Sequence, residues 1–330
     1  NKMIYKLATL LSLIAISFGR FTDSQYKSEW STFKATYNKD YGMEEDNRFQ
    51  IFKNNMDIAA LKNSTDPTAN YGVTKFSDLT EQEFRSTYLM TNIPEVEHNE
   101  KRMMNVIDLP EALPTSFDWR DKNMVTPVKN QGQCGSCWDF SATETIESVC
   151  AIAGYDLTKL SEQQILDCDT TDYGCDGGWP YHAYAYVEQA GGIETESDYP
   201  YTARDGSCDV NKADFVKCKV KSWKYVTQNA AESTMQSFLY NNSPMSVCVD
   251  AATWQFYTGG VISTSSNCGT SIDHCVQVTG WSEQSSMPVW NVRNSWGTSW
   301  GISGYLYVER GHDVCAIGQV VTVPCVDSTS

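Results

Sequence analysis

The sequence predicts an α+β fold in which a helical N-terminal segment precedes a larger region of helices and short strands. The segment from about residue 21 to residue 112 contains no cysteine, and its aromatic residues recur with helical spacing at Trp30, Phe33 and Tyr37. From Leu113 onward the chain contains all of its 12 cysteines, together with glycine-rich turns and short apolar runs that are typical of strands. These contrasts predict two units that differ in structure.

Length and charge limit the possible classes of function. The chain has 330 residues, which at about 150 residues per domain suggests two units with enough chain for a large core. Its 25 basic and 41 acidic residues give a formal net charge of −16. A chain this acidic repels nucleic acid and anionic membranes through its overall field, so we expect neither as a partner.

The first 19 residues predict a secretory signal peptide. Lys2 and Lys6 precede an apolar run over residues 7–18, and the small residue Gly19 follows it. The run is shorter than the roughly 20 residues that a spanning helix needs, so we expect no stable membrane anchor. The sequence therefore predicts the secretory pathway, with a lysosome, a vacuole or the extracellular space as the destination.

The cysteine content and two sequons agree with this compartment. Twelve cysteines are many for a reduced cytosolic enzyme. Asn63-Ser-Thr and Asn241-Asn-Ser are candidate glycosylation sites, whereas Asn242-Ser-Pro is blocked by its proline. We therefore treat Asn63 and Asn241 as glycosylation candidates.

Further signals place the remaining elements in order along the chain. A stretch rich in Met, Asn and Glu over residues 91–107 leads to Pro110 and Pro114, and it predicts an exposed linker that proteases can cut. Residues 132–150 predict a loop that enters a helix. Beyond Val220 we predict strands over Met245–Val249, Cys275–Gly280, Val289–Arg293 and Tyr305–Glu309.

The most informative motif is Gln131-Gly-Gln-Cys-Gly-Ser-Cys-Trp138. Taken alone, the pair Cys134 and Cys137 fits a redox dithiol or half of a zinc site. A redox dithiol needs a β-α-β setting, and a zinc site needs a second pair of Cys or His residues at suitable spacing. Neither setting is evident in the sequence.

In its context the motif resembles the active-site segment of papain-like cysteine proteases, which carry a histidine and an asparagine about 130–150 residues downstream. Here His274 lies 137 residues after Cys137, and Asn294 lies 157 residues after it. The resemblance covers nearly everything after the signal peptide and is closest to the cathepsin L and F branches. The other matching segments are Phe117-Asp-Trp-Arg120, Ser161-Glu-Gln-Gln164, Cys175-Asp-Gly-Gly178 and Asn294-Ser-Trp-Gly-Thr-Ser-Trp300.

The resemblance implies a two-lobed α+β fold made as a preproenzyme. A helical lobe would hold Cys137, and a β-rich lobe would hold His274 and Asn294, with the active site between the lobes. The implied reaction is the hydrolysis of peptide bonds by an endopeptidase through a thioester acyl-enzyme, without a metal or an organic cofactor. The implied division is a signal peptide (1–19), an inhibitory prodomain with its activation linker (20–112) and a peptidase domain (113–330).

Each implied catalytic role has a chemical reason. A helix that begins at Cys137 and an imidazolium at His274 would together lower the pKa of the thiol from its usual value of about 8.5. Asn294 can orient His274, because its amide oxygen accepts a ring N–H without adding charge. Gln131 and the Cys137 backbone N–H can donate to the oxyanion. Trp296 resembles the indole that shields the His–Asn bond from water.

The same resemblance assigns the substrate-binding residues. The S2 pocket receives the substrate side chain called P2, which precedes the residue whose carbonyl is attacked, and no residue of this pocket is charged. A charged side chain would lose hydration there without gaining a partner, whereas Leu, Val or Phe would gain about 1.5–3 kcal/mol on burial. The S2 residues are Trp179, Pro180, Cys248, Ile272, Cys275 and Val320, and Gly177, Gly178, Asp273 and Trp296 complete the substrate-binding set.

The N-terminal segment resembles the inhibitory prodomain of the family. A helical motif over residues 44–63 follows the family pattern, with Ala59 where isoleucine is usual. A shorter motif over residues 72–78 also follows it, with Thr74 in place of the commoner asparagine. The implied partners are the chain's own prodomain, peptide and protein substrates, and cystatin-like inhibitors.

A zymogen of this kind is expected to mature in acid. Prodomain carboxylates such as Glu44, Glu45 and Asp78 would need their charge to hold the prodomain in place. Protonation below about pH 5 would then loosen the prodomain and expose the linker near residues 105–113 to cleavage.

The cysteines suggest a partial disulfide scheme. After the three pairs that the resemblance implies and Cys137 are set aside, five cysteines remain, so at least one further thiol is free or intermolecular. The family's C-terminus returns to the helical lobe, which leaves a Cys150–Cys325 bridge as an option. Cys248 and Cys275 lie on strands that we expect to be neighbours, so they either form a bridge or remain two buried thiols. The implied pairs are Cys134–Cys175, Cys168–Cys208 and Cys268–Cys315.

Three residues near the site depart from the family pattern or have an open role. Asp139 stands where a small apolar residue is usual, and its charge would raise the pKa of the nearby thiol. Because two positions along a helix point about 200° apart, we expect only a modest effect on Cys137. Asp273 either tunes the ion pair or is a solvated carboxylate. Arg293 replaces a more usual lysine and keeps the charge.

Two rival classes of function remain. The first is a homologue that binds but has lost catalysis, which Asp139 favours and the intact set of Cys137, His274, Asn294 and Gln131 disfavours. The second is a thiol–disulfide oxidoreductase. Labelling with an epoxide that traps catalytic thiolates separates both from an active peptidase.

Overall fold

A helical N-terminal unit packs on a two-lobed α+β unit, as the sequence predicts. The computed structural model describes residues 21–104 and 113–328. The predicted signal peptide and the part of the predicted linker over residues 105–112 lie outside the described residues. Within the described ranges, no helix is long and apolar enough to cross a membrane.

The helices and strands follow the predicted order. The helices are α1 (Asp23–Tyr37), α2 (Glu45–Thr65), α3 (Glu81–Tyr88), α4 (Cys137–Ile152), α5 (Glu162–Cys168), α6 (Pro180–Ala190) and α7 (Glu232–Asn241). The strands are β1 (Ala69–Tyr71), β2 (Phe117–Asp118), β3 (Val220–Thr227), β4 (Met245–Val249), β5 (Tyr257–Ile262), β6 (His274–Gln284), β7 (Met287–Arg293), β8 (Tyr305–Glu309) and β9 (Val320–Val326). The four strands predicted individually are therefore present, with β6 and β7 longer than predicted.

The N-terminal unit has an aromatic core of its own between α1 and α2. The Trp30 ring lies 5.2 Å from the Tyr41 ring and 5.2 Å from the Phe52 ring, measured between centroids. The Asn55 side chain on α2 donates to the carbonyls of Ser77 and Leu79 at 2.9 and 2.8 Å. These bonds satisfy buried carbonyls and tie the two motifs of the segment together.

The β-rich lobe is built on one sheet, and the N-terminal unit contributes a strand to it. The strand order is β1-β5-β8-β7-β6-β4-β9-β3, with β2 paired to β6. Strand β1 pairs antiparallel with β5 and covers that edge of the sheet. Gly260 on β5 allows this approach, because a Cβ atom there would lie 2.4 Å from the carbonyl oxygen of Thr68 and its φ is +72°.

Helix α4 lies between the two lobes and is buried over most of its length. It packs against α6 on one side and against β6 and β9 on the other. Because no face of α4 is free, Glu144 and Glu147 on α4, and Glu162 on the neighbouring α5, need buried cations to keep their charge. Lys129 forms ion pairs with Glu147 and Glu162, and the Arg293 guanidinium lies 3.3 Å from a Glu144 carboxylate oxygen.

The segment after α3 differs from the predicted loose linker. Residues 91–104 lie along the surface of the two-lobed unit, against Trp179 and strand β3, and half of them are exposed. The Trp179 indole donates to the Pro94 carbonyl at 2.8 Å, and the Tyr225 hydroxyl donates to the Glu97 carbonyl at 2.7 Å. The Arg102 guanidinium lies 4.3 Å from the centroid of the Trp223 ring. Polar composition misled the prediction, because these contacts use main-chain carbonyls and a cation over a ring.

All twelve cysteines lie within the described residues, and ten of them form disulfides. Cys150 pairs with Cys218, so the option of a Cys150–Cys325 bridge was wrong. Cys325 carries no disulfide, and neither does Cys137. Cys150 lies in the last turn of α4, and Cys218 lies just before β3. The other pairs are Cys134–Cys175, Cys168–Cys208, Cys248–Cys275 and Cys268–Cys315.

The pairing predicts the result of peptide mapping without reduction. We expect a linked peptide pair for Cys150 and Cys218, and alkylation of Cys325 after unfolding without a reductant. Loss of the Cys150–Cys218 bridge in a double alanine variant should lower the free energy of unfolding by about 2–4 kcal/mol. A peptide that joins Cys150 to Cys325 would contradict this scheme.

Candidate active site

Cys137 is the first residue of α4, so its thiol lies where the helix dipole favours a negative charge. Its sulfur accepts a hydrogen bond from the backbone N–H of Cys275 at 3.4 Å. The side chain is fully buried. Burial raises the pKa of the Cys137 thiol, and this effect outweighs the opposing hydrogen bond from Cys275.

His274 begins β6 and faces Asn294 at the end of β7. Its Nε2 lies 2.8 Å from the Asn294 Oδ1, and its Nδ1 has no hydrogen-bond partner among the described residues. The Trp296 ring lies 4.7 Å from the imidazole and covers it. Burial lowers the pKa of His274 to about 4, against the opposing hydrogen bond to Asn294.

The two pKa shifts favour a neutral thiol and a neutral imidazole, whereas the sequence predicts an ion pair between Cys137 and His274. A buried thiol and a buried imidazole both favour the neutral form, because water cannot solvate their charges. Burial in the covered site therefore works against the thiolate and imidazolium that the sequence predicts. The helix N-terminus and the His–Asn hydrogen bond are nevertheless in place around Cys137 and His274.

The Gln131 side chain is occupied by the N-terminal unit. Its Nε2 donates to the carbonyl of Tyr88 at 3.1 Å and to the carbonyl of Cys134 at 2.8 Å. Its Oε1 accepts from the Ser295 hydroxyl at 2.8 Å, which fixes the amide with its nitrogen toward the cleft. The Tyr88 carbonyl therefore accepts the hydrogen bond from the Gln131 amide nitrogen that an oxyanion would otherwise accept.

Residues 88–92 cross the cleft between the lobes. The Met90 N–H donates to the carbonyl of Asp273 at 2.8 Å, and the Thr91 N–H donates to the carbonyl of Asp176 at 2.8 Å. A Cβ atom on Gly177 would lie 2.5 Å from the Asn92 carbonyl oxygen, so the close approach requires glycine there. The sequence analysis missed this segment. The apolar run Tyr-Leu-Met over residues 88–90, which begins at the last residue of α3, is the only signal that could have found it.

Residues predicted for the S2 pocket lie side by side on neighbouring strands. Cys248 on β4 is directly opposite Cys275 on β6 and directly opposite Val320 on β9. Residues directly opposite each other in a sheet point to the same face, so these three side chains form one row. Trp179 and Met90 belong to the same buried apolar cluster, and Ile272 packs against it.

The remaining predicted substrate-binding residues border this row or the cleft. Pro180 is the first residue of α6, next to Trp179. A Cβ atom on Gly178 would lie 2.5 Å from the carboxyl carbon of Asp172, which leaves no room for a side chain. Trp296 is covered by the rings of Phe76 and Phe84 from the N-terminal unit, at 5.3 and 5.5 Å.

Asp273 is a buried carboxyl rather than a solvated one. Its Oδ1 accepts the backbone N–H of Ala251 at 2.8 Å, and its Oδ2 lies 3.8 Å from the guanidinium of Arg85 on α3. Burial raises the pKa of Asp273 to about 7. Its backbone carbonyl rather than its carboxylate binds the chain that crosses the cleft.

The surroundings of Asp139 differ from what the sequence predicts more than those of the other site residues. The side chain is fully buried, and neither carboxylate oxygen has a hydrogen-bond partner among the described residues. Burial raises the pKa of Asp139 well above its usual value, and the charge of Glu162 adds to this effect while Lys129 opposes it. Asp139 points away from Cys137, as its position on the helix predicts, but the protein encloses α4 on every side, so this direction leads into the interior and not to solvent.

Cys134 cannot serve as the second thiol of a redox pair. It is bonded to Cys175, so the Cys-x-x-Cys reading of residues 134–137 lacks a free partner for Cys137. The structure therefore disfavours the rival oxidoreductase function.

Comparisons with known proteins agree along almost the whole chain. The family described as papain family cysteine protease matches residues 113–325, and the family described as cathepsin propeptide inhibitor domain (I29) matches residues 30–84. Cysteine proteinase 1 of Dictyostelium discoideum is 37% identical over 333 residues, which cover 91% of this chain and 93% of the relative. A viral cathepsin of Antheraea pernyi nuclear polyhedrosis virus is 37% identical over 96% of each chain.

Solved structures of precursors resemble the full arrangement. The digestive procathepsin L 3 of Tenebrio molitor larval midgut superimposes with a TM-score of 0.79 at 31% identity, covering 91% of this chain and 99% of the other. The recombinant stem bromelain precursor superimposes with a TM-score of 0.81 at 33% identity, covering 93% of this chain and all of the other.

The buried Asp139 predicts how stability changes with pH. The folded protein holds this proton more tightly than the unfolded chain, so the free energy of unfolding should fall as pH rises from about 4, by about 1.4 kcal/mol per pH unit for one proton. An Asp139→Asn variant should lose this part of the slope. The measurement is the free energy of unfolding between pH 4 and 8, in a Cys137→Ala background that prevents self-digestion.

The matched control is Asp121→Asn, which changes an exposed aspartate of the same domain. It should leave the slope unchanged. If Asp139→Asn and Asp121→Asn have the same pH dependence as the parent, Asp139 does not bind a proton in the folded state.

Proposed function

Because the chain belongs to the papain family of cysteine proteases, we propose that it is the zymogen of an endopeptidase in which Cys137, His274 and Asn294 carry out catalysis. The observation that supports this most directly is the hydrogen bond of 2.8 Å between His274 and Asn294, beside a cysteine at a helix N-terminus. The domain division into residues 1–19, 20–112 and 113–330 is part of the proposal.

The proposed reaction starts when residues 88–92 leave the cleft. Water and substrate then reach Cys137 and His274, so that the thiol can transfer its proton to the imidazole. The thiolate attacks the peptide carbonyl, and the Gln131 side chain and the Cys137 N–H stabilise the oxyanion. His274 protonates the leaving amine, and Asn294 holds the ring in the orientation that this requires. Water hydrolyses the resulting thioester.

The proposed mode of inhibition follows from the same contacts. The Tyr88 carbonyl occupies the Gln131 amide, and the Met90 N–H occupies the Asp273 carbonyl. A substrate needs both groups. Docking also buries the thiol and the imidazole, which favours their neutral and unreactive forms.

We propose that the S2 pocket selects an apolar side chain. Met90 of the prodomain is buried in the same apolar cluster as Trp179, Cys248, Cys275 and Val320, and its N–H binds the carbonyl of Asp273, which supports an apolar P2 preference. The residues assigned to the pocket are all uncharged, so none of them can pair with a basic or acidic side chain. They are Trp179, Pro180, Cys248, Ile272, Cys275 and Val320.

Four parts of the proposal rest on the sequence and the family. They are entry into the secretory pathway, residence in a lysosome, a vacuole or the extracellular space, inhibition by cystatin-like proteins, and glycosylation at Asn63 and Asn241. Asn63 is solvent-exposed, and its amide exchanges two hydrogen bonds with the backbone of Tyr71. Asn241 is exposed at the end of α7.

The first functional prediction concerns the nucleophile. Cys137→Ala should abolish peptidase activity and labelling by an epoxide that traps catalytic thiolates, because the proposed thioester forms on the Cys137 sulfur beside His274. The matched control is Cys325→Ala, which removes the other unpaired thiol and should keep both. A Cys137→Ala enzyme that retains more than a small fraction of activity contradicts the assignment.

The second functional prediction concerns acid maturation. Asp66 of the prodomain is buried, and its carboxylate accepts from the Ser266 hydroxyl of the peptidase at 2.6 Å. Burial works to raise the pKa of Asp66, but the hydrogen bonds from Ser266, Thr68 and Tyr71 outweigh it and hold the pKa below its usual value. The docking energy of such a group is present above about pH 4 and is lost as pH falls through the lowered pKa.

Two other prodomain carboxylates also have lowered pKa values, which lowers the pH at which we expect maturation. The hydrogen bond from Lys34 lowers the pKa of Glu45. Burial works to raise the pKa of Glu83. The hydrogen bonds from Thr80 and Arg48 outweigh burial, so the pKa of Glu83 is lower than usual. The lowered pKa values of these carboxylates place the expected maturation in the lower part of the range below about pH 5 that the sequence predicts.

The test incubates purified zymogen at pH 4 and pH 7 and sequences the new N-terminus, which should fall within residues 105–113. Asp66→Asn should mature at a higher pH than the parent, because it weakens the bonds to Ser266 and Thr68. Asp46→Asn, at an exposed position of α2, should behave as the parent does. Equal stability of the zymogen at both pH values refutes the acid switch.

The third functional prediction concerns specificity. Peptides with Leu at P2 should be cleaved at least about 100-fold more efficiently, in kcat/KM, than peptides with Arg there, since the pocket cannot compensate a buried charge. The control is a peptide that carries Leu at P2 and Arg at the next position, so that it has the same charge outside the S2 pocket. Efficient cleavage of the peptide with Arg at P2 rejects the apolar pocket.

A further inference from the structure

The row of side chains in the S2 pocket contains a covalent bond. Cys248 is the middle residue of the row, and it is bonded to Cys275 on the neighbouring strand. Both cysteines are fully buried and lie in the apolar cluster with Met90 and Trp179. The Met90 N–H binds the carbonyl of Asp273, two residues before Cys275, so the disulfide lies beside the segment that crosses the cleft and, with the S2 assignment above, in the wall that would contact the P2 side chain.

The bond joins the two strands that define the cleft side of the β-rich lobe. Cys275 directly follows His274 on β6, and its backbone N–H donates to the Cys137 sulfur at 3.4 Å. Val249 on β4 pairs with His274 in the same ladder. Any change in the spacing of β4 and β6 at this register therefore changes the pocket next to the reacting groups.

The bond also limits how the pocket can adapt. Two bonded sulfurs lie about 2 Å apart, whereas two unbonded heavy atoms in contact lie about 3.5–4.0 Å apart. A bonded pair has its χ angles fixed by the bridge, while two thiols can each rotate to another rotamer. The disulfide thus makes this wall rigid where two small apolar side chains would make it adjustable.

We propose that the Cys248–Cys275 disulfide determines specificity by holding the S2 wall at a fixed shape, and that breaking it broadens the range of apolar P2 side chains that the enzyme accepts. The proposal rests on the proposed peptidase function. Reduction by a dithiol breaks the S–S bond and leaves two protein thiols, and the dithiol is oxidised to a cyclic disulfide. The peptide bonds of the substrate take no part in this step.

The test measures kcat/KM of the mature enzyme for peptides that differ only at P2, with Val, Leu or Phe. Cys248→Ala/Cys275→Ala removes the bond and both sulfurs, and Cys248→Ser/Cys275→Ser removes the bond but nearly keeps the volume. In both variants the ratio of Phe to Val should rise about tenfold, since differences of a few methylene groups in an apolar pocket have effects of this size. Titration of active sites with an epoxide normalises the enzyme concentration.

The matched control is Cys150→Ala/Cys218→Ala. It removes another buried disulfide, whose Cys150 lies 13 residues along α4 from Cys137, or about 20 Å. This variant should keep the parent's ratio. If the Phe to Val ratio of the control variant rises by the same factor, the effect comes from general loosening of the fold, and the proposal is overturned.

A second measurement uses the parent enzyme and does not depend on the folding of a variant. Dithiothreitol is added in increments, the fraction of reduced Cys248 and Cys275 is determined by alkylation and mass spectrometry, and the Phe to Val ratio is followed. The ratio should rise in parallel with that fraction. A constant ratio after complete reduction, or in both double variants, overturns the proposal, whereas failure of the parent to cleave any peptide overturns the proposed function instead.

Discussion

The exclusion of water from the cleft is the constraint on which the rest of the structure depends. A thiolate and an imidazolium need solvation or close partners, and residues 88–92 remove the solvent while supplying no charge. The segment contributes mainly backbone groups, which bind Gln131, Asp176 and Asp273. Backbone hydrogen bonds require little of the sequence, so a short stretch can close the cleft as long as the flanking elements hold it in register.

The flanking elements provide that register through three kinds of contact. Strand β1 extends the sheet, the Phe76 and Phe84 rings pack on Trp296, and Asp66 binds Ser266. The aromatic core of α1 and α2 makes the N-terminal unit stiff enough to present these groups together. Inhibition is therefore a property of the whole docked unit, and residues 88–92 are the part of it that reaches the chemistry.

Features of the fold and the site that carry a motif or a strong periodicity were predicted from the sequence. Features that carry only a weak local signal were missed. The octet at residues 131–138 and the strands around His274 and Asn294 could be placed, because each combines several residue types at fixed spacing. Strand β1 was missed, since the three residues Ala-Asn-Tyr carry no strand pattern of their own. The partner of Cys150 was missed because pairing depends on which loops meet in space. The burial of Asp139 was missed because a helical wheel gives directions on one helix and not what surrounds it.

The contacts that close the cleft do not depend on the integrity of the chain between residues 104 and 113. While that connection exists, docking is intramolecular, and covalent linkage raises the effective concentration of the prodomain at the cleft far above that of a separate molecule. A single cut removes none of the hydrogen bonds to Gln131 or Asp273, but it turns the same docking into a bimolecular equilibrium. Dilution alone then shifts that equilibrium toward the open enzyme, so the volume into which the protein is released becomes a determinant of its activity.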